Sequence, residues 1–173
     1  YGKAEESYHK AISLNKNRFS AYALLGKLYA DQKSFDKAIP ELQKVLEVNP
    51  KSSQTRVIMG MIYELQKNYE KAKYYYSEAL KMDPSLAIAA NNMAWMICEH
   101  GGNLEEALRL ARDAREKLPD NTNVADTLGW IYYRRGAYRA AIDLFEECVN
   151  KEPQNPTYQF HLGMSYHKSG NQS

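Results

Sequence analysis

The residue types that most often carry out chemistry are few in this chain, and their spacing does not suit a catalytic or metal site. The four histidines are His9, His100, His161 and His167. His161 and His167 are six residues apart, which places them on different faces of a helix. No HExxH, GxGxxG or GxxxxGK[ST] motif is present in the sequence. The residues therefore predict a protein with no enzyme activity, no cofactor and no metal.

The two cysteines, Cys98 and Cys148, are too few for a disulfide framework, and neither belongs to a CxxC pair. They do not distinguish a cytoplasmic from a periplasmic location. Cys148 stands where Ala79 and Ala114 stand in neighbouring segments, so we expect a buried and inert thiol. Cys98 lies on the same helical stripe as a tryptophan, where we favour packing over reactivity.

Charge and hydropathy exclude two classes of partner. The formal net charge is +2, with Lys+Arg 23 against Asp+Glu 21, and the two signs are interspersed. This pattern argues against a surface that tracks nucleic-acid phosphates. The longest unbroken apolar run, Met93 to Cys98, is far shorter than the ~20 residues of a membrane-spanning helix. We therefore expect neither nucleic acid as a partner nor a membrane span.

The strongest pattern is a repeat. The segment LGWIYYRRG at 128–136 aligns with LGKLYADQK at 25–33, MGMIYELQK at 59–67, MAWMICEHG at 93–101 and LGMSYHKSG at 162–170. The leading residues are 34, 34, 35 and 34 positions apart. A proline series keeps the same period, at Pro50, Pro84, Pro119 and Pro153. An alanine series does so too, at Ala4, Ala38, Ala72, Ala107 and Ala141. The extra residue falls in EHGGNLEEA, where a Gly-Gly turn can absorb it.

Each repeat contains two segments with apolar residues at helical spacing, and no sustained strand alternation is present. Polar residues such as Ser52 and Asn121 can cap the first helices, and the prolines close the second helices. We expect helix to continue through Pro40 with a slight bend. The predicted organisation is one array over 1–173. It consists of a half unit (1–17), units at 18–51, 52–85, 86–120 and 121–154, and a half unit (155–173), about ten helices in all.

This pattern resembles the tetratricopeptide repeat family, whose period is 34 residues. The resemblance covers the whole chain, although Ala94 and Ile97 replace the family's Gly and Tyr in one unit. It implies an all-α fold, a right-handed α-solenoid of antiparallel helix pairs whose first helices line a concave groove. The stretch AWMICEHGGNLEEALRLARDA is similar to repeats of bacterial envelope and secretion-associated members, which favours a bacterial source.

Small residues recur where two helices must approach closely. Glycines occupy one position of the first helix, at Gly26, Gly60, Gly129 and Gly163. We expect the alanine series of the second helix to contact them. A glycine inside a helix costs ~0.5–1 kcal/mol relative to alanine, so packing must require it.

The resemblance also implies which stripe of each first helix faces the groove. The predicted partner-binding residues on that stripe are Val57, Met61, Asn91, Trp95, Asp126, Trp130, Tyr133, Arg134, Phe160 and Met164. Both tryptophans of the chain are among them. Aromatic and methionine side chains suit a surface that accepts an apolar side chain of a partner. Two interpretations of the tryptophans remain open at this point: contact with a ligand, or packing inside the superhelix.

The predicted function is therefore a non-enzymatic scaffold that binds a protein or peptide segment in a groove. Asn91 and Asp126 are expected to bond the backbone of that segment, with Arg134 helping to set its register. The alternative is a structural spacer or a self-assembling scaffold that uses open helical ends. The half units at each end motivate this alternative, because we expect a fragment of a longer array or ends that pair with another copy.

Overall fold

The computed structural model describes residues 2–14 and 19–170, and within them it contains ten α-helices and no strand. The helices are α1 (Gly2–Leu14), α2 (Phe19–Asp31), α3 (Phe35–Val48), α4 (Ser53–Leu65), α5 (Tyr69–Met82), α6 (Ala87–Glu99), α7 (Leu104–Lys117), α8 (Thr122–Arg134), α9 (Tyr138–Lys151) and α10 (Pro156–Ser169). The predicted all-α class of paired helices is confirmed. The predicted outer limits of the two half units lie outside the described residues.

Two compact units divide the chain, residues 1–84 and 85–173. In the first, α2 packs on α3 and α4 on α5, while α1 packs on α2. In the second, α6 packs on α7 and α8 on α9, while α10 packs on α9 and α8. The paired helices are joined by turns of three or four residues, so the two helices of each pair run antiparallel.

Polar side chains cap the N-termini of five of the described helices. Ser52 accepts a hydrogen bond from the backbone N–H of Thr55, and Asn121 accepts one from Val124. Both predicted caps are thereby confirmed, and they satisfy backbone donors that the first helical turn leaves free. α3 continues through Pro40, as predicted.

The turn inside each repeat uses a residue with positive φ. That residue is a glycine in the second unit, with φ of 81° at Gly101 and 78° at Gly136. In the first unit it is a lysine, with φ of 57° at Lys33 and 59° at Lys67. The turn between α6 and α7 spans four residues where the others span three, so the Gly-Gly turn does absorb the inserted residue.

The glycines of the first helices form notches that large side chains fill. A Cβ added to Gly26 would lie 2.6 Å from the Leu42 side chain, and one added to Gly60 would lie 2.6 Å from Tyr76. The side chains nearest to these glycines are thus not the alanines of the series, and whether the alanines also contact the glycines stays a prediction. Those alanines are buried, but the residue one helical turn later reaches the notch. In the fourth full repeat the filling side chain is Phe145, 2.8 Å from a Cβ built at Gly129.

Candidate partner-binding surface

Three first helices of the second unit carry most of the predicted site. α6 packs on α8, and α8 packs on α10. Residues at the same position of successive repeats therefore become neighbours across these helices. Trp95, Trp130 and Met164 are related in this way, and each is half-buried.

Aromatic rings from the three helices form one cluster. The centroids of Trp95 and Trp130 lie 6.4 Å apart. Tyr133 stacks on Trp130 at 4.9 Å with an interplanar angle of 11°. On α10 the ring centroid of Phe160 lies 6.1 Å from that of His161, which stacks on Trp130, and Phe160 is 62% exposed, which leaves its ring accessible. We call Trp95, Trp130, Tyr133 and Phe160 the aromatic surface.

Contacts from within the unit hold Trp130 in place. Its indole Nε1 donates a hydrogen bond to Glu99 Oε1 at 2.6 Å, and Arg134 donates to the same oxygen at 3.1 Å. The His161 ring stacks on Trp130 with centroids 4.4 Å apart. Within the unit, the indole N–H is therefore already bonded, and the rings of Tyr133 and His161 both stack on Trp130. This leaves the remaining exposed part of Trp130, with Trp95 and Phe160, as the apolar surface available to a partner.

Asp126 is not free to bond a peptide in this structure. It is 7% exposed, and its Oδ1 lies 2.7 Å from Nδ1 of His161, which is 5% exposed. The pair joins α8 to α10 directly beneath Trp130. Its role here is to fix the two helices and the rings that they carry, because both partners are buried and bonded to each other.

Asn91 occupies in α6 the position that Asp126 occupies in α8. It is 8% exposed, and its side-chain oxygen Oδ1 has no hydrogen-bond partner among the described residues. A buried acceptor without a partner is costly, at about 1–3 kcal/mol. Burial also keeps this oxygen away from the surface, so in this structure Asn91, like Asp126, does not present its side chain to a ligand.

Two further predicted residues lie in the first unit. Val57 and Met61 are on α4, where Val57 is half-buried and Met61 is 43% exposed. These two residues lie on one face of α4. Leu65, at the C-terminal end of this helix, is a further exposed apolar side chain. Arg134, the remaining predicted residue, is exposed at the end of α8 beside Glu99.

The thiols of both cysteines are buried in the core and are not exposed to solvent. Cys98 and Cys148 are both 0% exposed. Burial raises the pKa of the Cys98 thiol to about 11 and that of Cys148 to about 12. Both thiols are therefore protonated at neutral pH, and the expectation that they pack in the core is confirmed.

His161 and Glu99 contribute to the site and were not predicted from the sequence. From the sequence His161 is a candidate only for metal binding or catalysis, and its position holds Ile58, Asn92 and Thr127 in other repeats. One signal was available: Tyr158, His161 and Ser165 follow each other at steps of three and four, and this is the face that α10 buries.

We also searched the described part of the chain for a metal site and for a membrane-spanning helix. No group of three or more His, Cys, Asp or Glu side chains there is placed to hold a metal ion. None of the described helices has the length and apolar character needed to cross a membrane.

Comparison with models of known protein families shows that the chain is a repeat protein. Models described as tetratricopeptide repeat match residues 19–52, 56–86 and 100–162. No curated protein sequence matches the chain significantly.

Several solved structures share the fold. YrrB, a TPR protein with an unusual peptide-binding site, is 19% identical with a TM-score of 0.79, over 98% of this chain and 87% of YrrB. PilW, a type IV pilus biogenesis factor, is 19% identical with a TM-score of 0.81, over 90% of this chain and 71% of PilW. MamA from Desulfovibrio magneticus RS-1 is 16% identical with a TM-score of 0.79, over 90% of this chain and 87% of that chain. At these identities the likeness is one of fold.

Proposed function

Since the chain belongs to the tetratricopeptide repeat family, we propose that it is a protein-interaction scaffold whose second unit binds a peptide segment of a partner. Repeat proteins of this family are generally non-catalytic scaffolds, and we propose no enzyme activity for this one. The observation that carries the proposal is the aromatic surface, assembled from three successive first helices. The peptide-binding site of YrrB, a protein of the same fold, supports it.

The aromatic surface suits an apolar anchor side chain. Phe160 is already exposed, so a partner that covers it buries apolar area at about 25 cal/mol per Å². Trp95 and Trp130 are held by neighbouring rings, so little side-chain entropy is lost when a ligand binds them. In this proposal Asp126 and His161 support the surface and do not contact the peptide.

The test uses peptides selected from a phage-displayed random library on the wild-type chain. Both tryptophans lie in the aromatic surface, so intrinsic fluorescence reports its occupation directly. The decisive variant is Phe160→Ala, because that ring is exposed and its loss leaves the core intact. We expect affinity to fall at least about tenfold, as for a truncated interface anchor.

Tyr74→Ala is the matched control. Tyr74 is 59% exposed, close to the 62% of Phe160, but it lies on α5 in the other unit. We expect Tyr74→Ala to bind the selected peptides as tightly as the wild type does. Two results would contradict the proposal. One is that the selected peptides bind the wild-type chain without changing its tryptophan fluorescence. The other is that they bind Phe160→Ala with unchanged affinity.

A structural scaffold that associates with itself is the second candidate function. A concentration series in sedimentation equilibrium distinguishes the two candidates. Peptide binding at the aromatic surface does not require a change in mass of the chain itself.

A further inference from the structure

The turns inside the two repeats of the first unit place a lysine where the turns of the second unit have glycine. In the α2–α3 turn, the backbone N–H of Lys33 donates to the carbonyl of Ala30 at 2.9 Å, and the next N–H donates to Tyr29 at 2.8 Å. The turns that contain Lys67 and Gly136 close with the same two hydrogen bonds. Glycine therefore meets the geometric demand of this turn, and the turn itself does not require a lysine.

The two lysines hold a backbone conformation that glycine adopts without strain. Their φ angles are 57° at Lys33 and 59° at Lys67, in the left-handed region. Residues kept in such conformations are found preferentially at functional sites, where the side chain has a task that offsets the strain. Both lysine side chains are exposed. Their strained backbone therefore points to a role for the two ammonium groups outside the fold of the turn.

A second lysine follows each of these turn lysines by four positions. The ammonium of Lys37 lies 5.5 Å from the ring centroid of Tyr29, and that of Lys71 lies 5.0 Å from the ring centroid of Tyr63. Each ring belongs to the last turn of the first helix, next to the turn lysine. The cation–π contact thus keeps the second ammonium near the first.

We call Lys33, Lys37, Lys67 and Lys71 the basic edge. All four are exposed, and none of them forms a salt bridge with any described residue. The two turns lie in successive repeats of one unit, where α4 packs on both α2 and α3. The basic edge is specific to the first unit, because the matching residues of the second unit are Gly101, Glu106, Gly136 and Ala140.

We propose that the basic edge binds an acidic segment of a protein partner. An extended chain advances about 3.3 Å per residue, so carboxylates three residues apart span the roughly 8–10 Å between packed helices. Asp36 and Glu70 directly precede Lys37 and Lys71, and they would repel a uniform array of phosphates or lipid headgroups. A peptide can place neutral residues opposite these two carboxylates. The inference goes beyond the proposed function and is independent of the aromatic surface.

The test uses a fluorescein-labelled peptide of about twelve residues, with glutamate at every third position and glycine or serine between. Fluorescence anisotropy is measured at an ionic strength of about 0.01 M, where the Debye length is about 30 Å, and again at about 0.15 M. We expect the wild-type chain to bind this peptide saturably and more weakly at the higher ionic strength. Absence of binding at the lower ionic strength would overturn the proposal.

The decisive variant is Lys33→Gly/Lys67→Gly. It removes two cations and gives both turns the residue that the second unit uses. We expect affinity for the peptide to fall about fivefold to tenfold, while resistance to urea is retained or increased. A variant that is no less stable but binds more weakly separates a binding role from a structural one. Unchanged affinity would overturn the proposal.

Lys44→Gln/Lys81→Gln is the matched control. It makes the same change in charge in the same unit, but these two ammonium groups are already bonded to Glu41 and Glu78, at 2.9 and 2.8 Å. We expect its affinity for the peptide to stay close to that of the wild type. An equal loss in both double variants would show that the peptide responds only to net charge, and would overturn the proposal.

Two further comparisons fix the class of partner and the site. A single-stranded oligonucleotide of the same charge, or phosphatidylglycerol vesicles, should bind more weakly than the peptide, and the opposite order would overturn the proposal. Phe160→Ala should bind the acidic peptide as the wild type does, because Phe160 lies on α10 in the other unit. Failure of the basic edge and failure of the aromatic surface are therefore distinguishable.

Discussion

At the scale of single residues, the notch glycines show how a missing side chain specifies a contact. Gly60 leaves space that the buried ring of Tyr76 occupies, and Glu64 accepts a hydrogen bond from the hydroxyl of that ring at 2.8 Å. The ring is fixed at both ends, so it has no room to retreat from an added methyl group. The helical glycine is therefore tolerated because the pair of helices packs through it.

Gly60→Ala is expected to lower the free energy of unfolding by about 1–3 kcal/mol, because the new Cβ would lie 2.6 Å from the Tyr76 ring. Gly163→Ala is the matched change at an empty notch. It should raise stability by about 0.5–1 kcal/mol through helix propensity alone. Urea denaturation at low protein concentration measures both. Equal effects at the two sites would show that the notch is not tightly packed.

The positive-φ lysines are a second feature at this scale. Lys67 has φ of 59°, where an L side chain is strained by roughly 1–2 kcal/mol. Lys67→Gly is therefore expected to stabilise the chain by about 0.5–1 kcal/mol, after allowing for the greater freedom of glycine when unfolded. The reverse change, Gly136→Lys, should destabilise it by a similar amount. Thermal unfolding measures the stability of both variants. A loss of stability in Lys67→Gly would refute the strain argument.

At the scale of helices, α10 is held by hydrogen bonds as well as by apolar packing. Its buried residues are Tyr158, His161 and Ser165. The Tyr158 hydroxyl donates to Asn123 at 3.0 Å, and His161 bonds Asp126 at 2.7 Å. Both partners lie on α8, so these bonds determine how α10 meets the helix that carries Trp130.

His161→Ala is expected to destabilise the second unit by about 3 kcal/mol, because Asp126 is left buried without its partner. Hydrogen exchange should accelerate in α10 more than in α6. A double-mutant cycle with Asp126→Ala checks the mechanism: the two changes together should cost clearly less than their sum. Additive costs would mean that the pair does not act as a unit.

The ion pair that joins α7 to α9 should make the stability of the chain depend on pH. Arg115 donates to Glu147 at 2.6 Å, and this bond, assisted by Lys151, holds the pKa of the Glu147 carboxyl below its ordinary value of 4.5. A carboxyl with a lowered pKa stabilises the fold above its ordinary pKa and loses that effect as pH falls through the lowered value. Glu147→Gln is therefore expected to cost about 1 kcal/mol at neutral pH and almost nothing in strong acid.

Asp113→Asn is the control for that prediction. Asp113 pairs with Arg109 on one helix at 3.4 Å, with both side chains largely exposed. Its loss should change stability by only a few tenths of a kcal/mol at any pH. Urea denaturation over a pH series measures both variants. A Glu147→Gln deficit that persists in strong acid would show that the ion pair is not its cause.

At the scale of the whole molecule, stability in a repeat protein is the sum of local contributions, so it differs from helix to helix. α6 has nine buried residues, whereas α1 has none. We expect amide hydrogen exchange in dilute solution to be fastest in α1 and slowest in α6 and α8, because protection follows burial. Mass-spectrometric exchange measures this order. Equal protection of α1 and α8 would contradict it.

The sequence by itself determined the period, the helix pairs, the capping residues and the positions of the glycine notches. These features depend on local rules: helical spacing, proline at helix ends, and polar residues at helix starts. The contacts between the helices were decided by the tertiary structure alone. Leu42, rather than Ala38, fills the Gly26 notch, since the angle between two helices selects which turn of one helix meets the other.

The same reason applies to the candidate site. The sequence placed Trp95, Trp130 and Phe160 on one stripe, and the structure brings their helices side by side. It could not show that Asp126 bonds His161 or that Glu99 holds Trp130, because these partners are 35 and 31 residues apart. Such bonds form only after packing has set the distance and rotation between α6, α8 and α10.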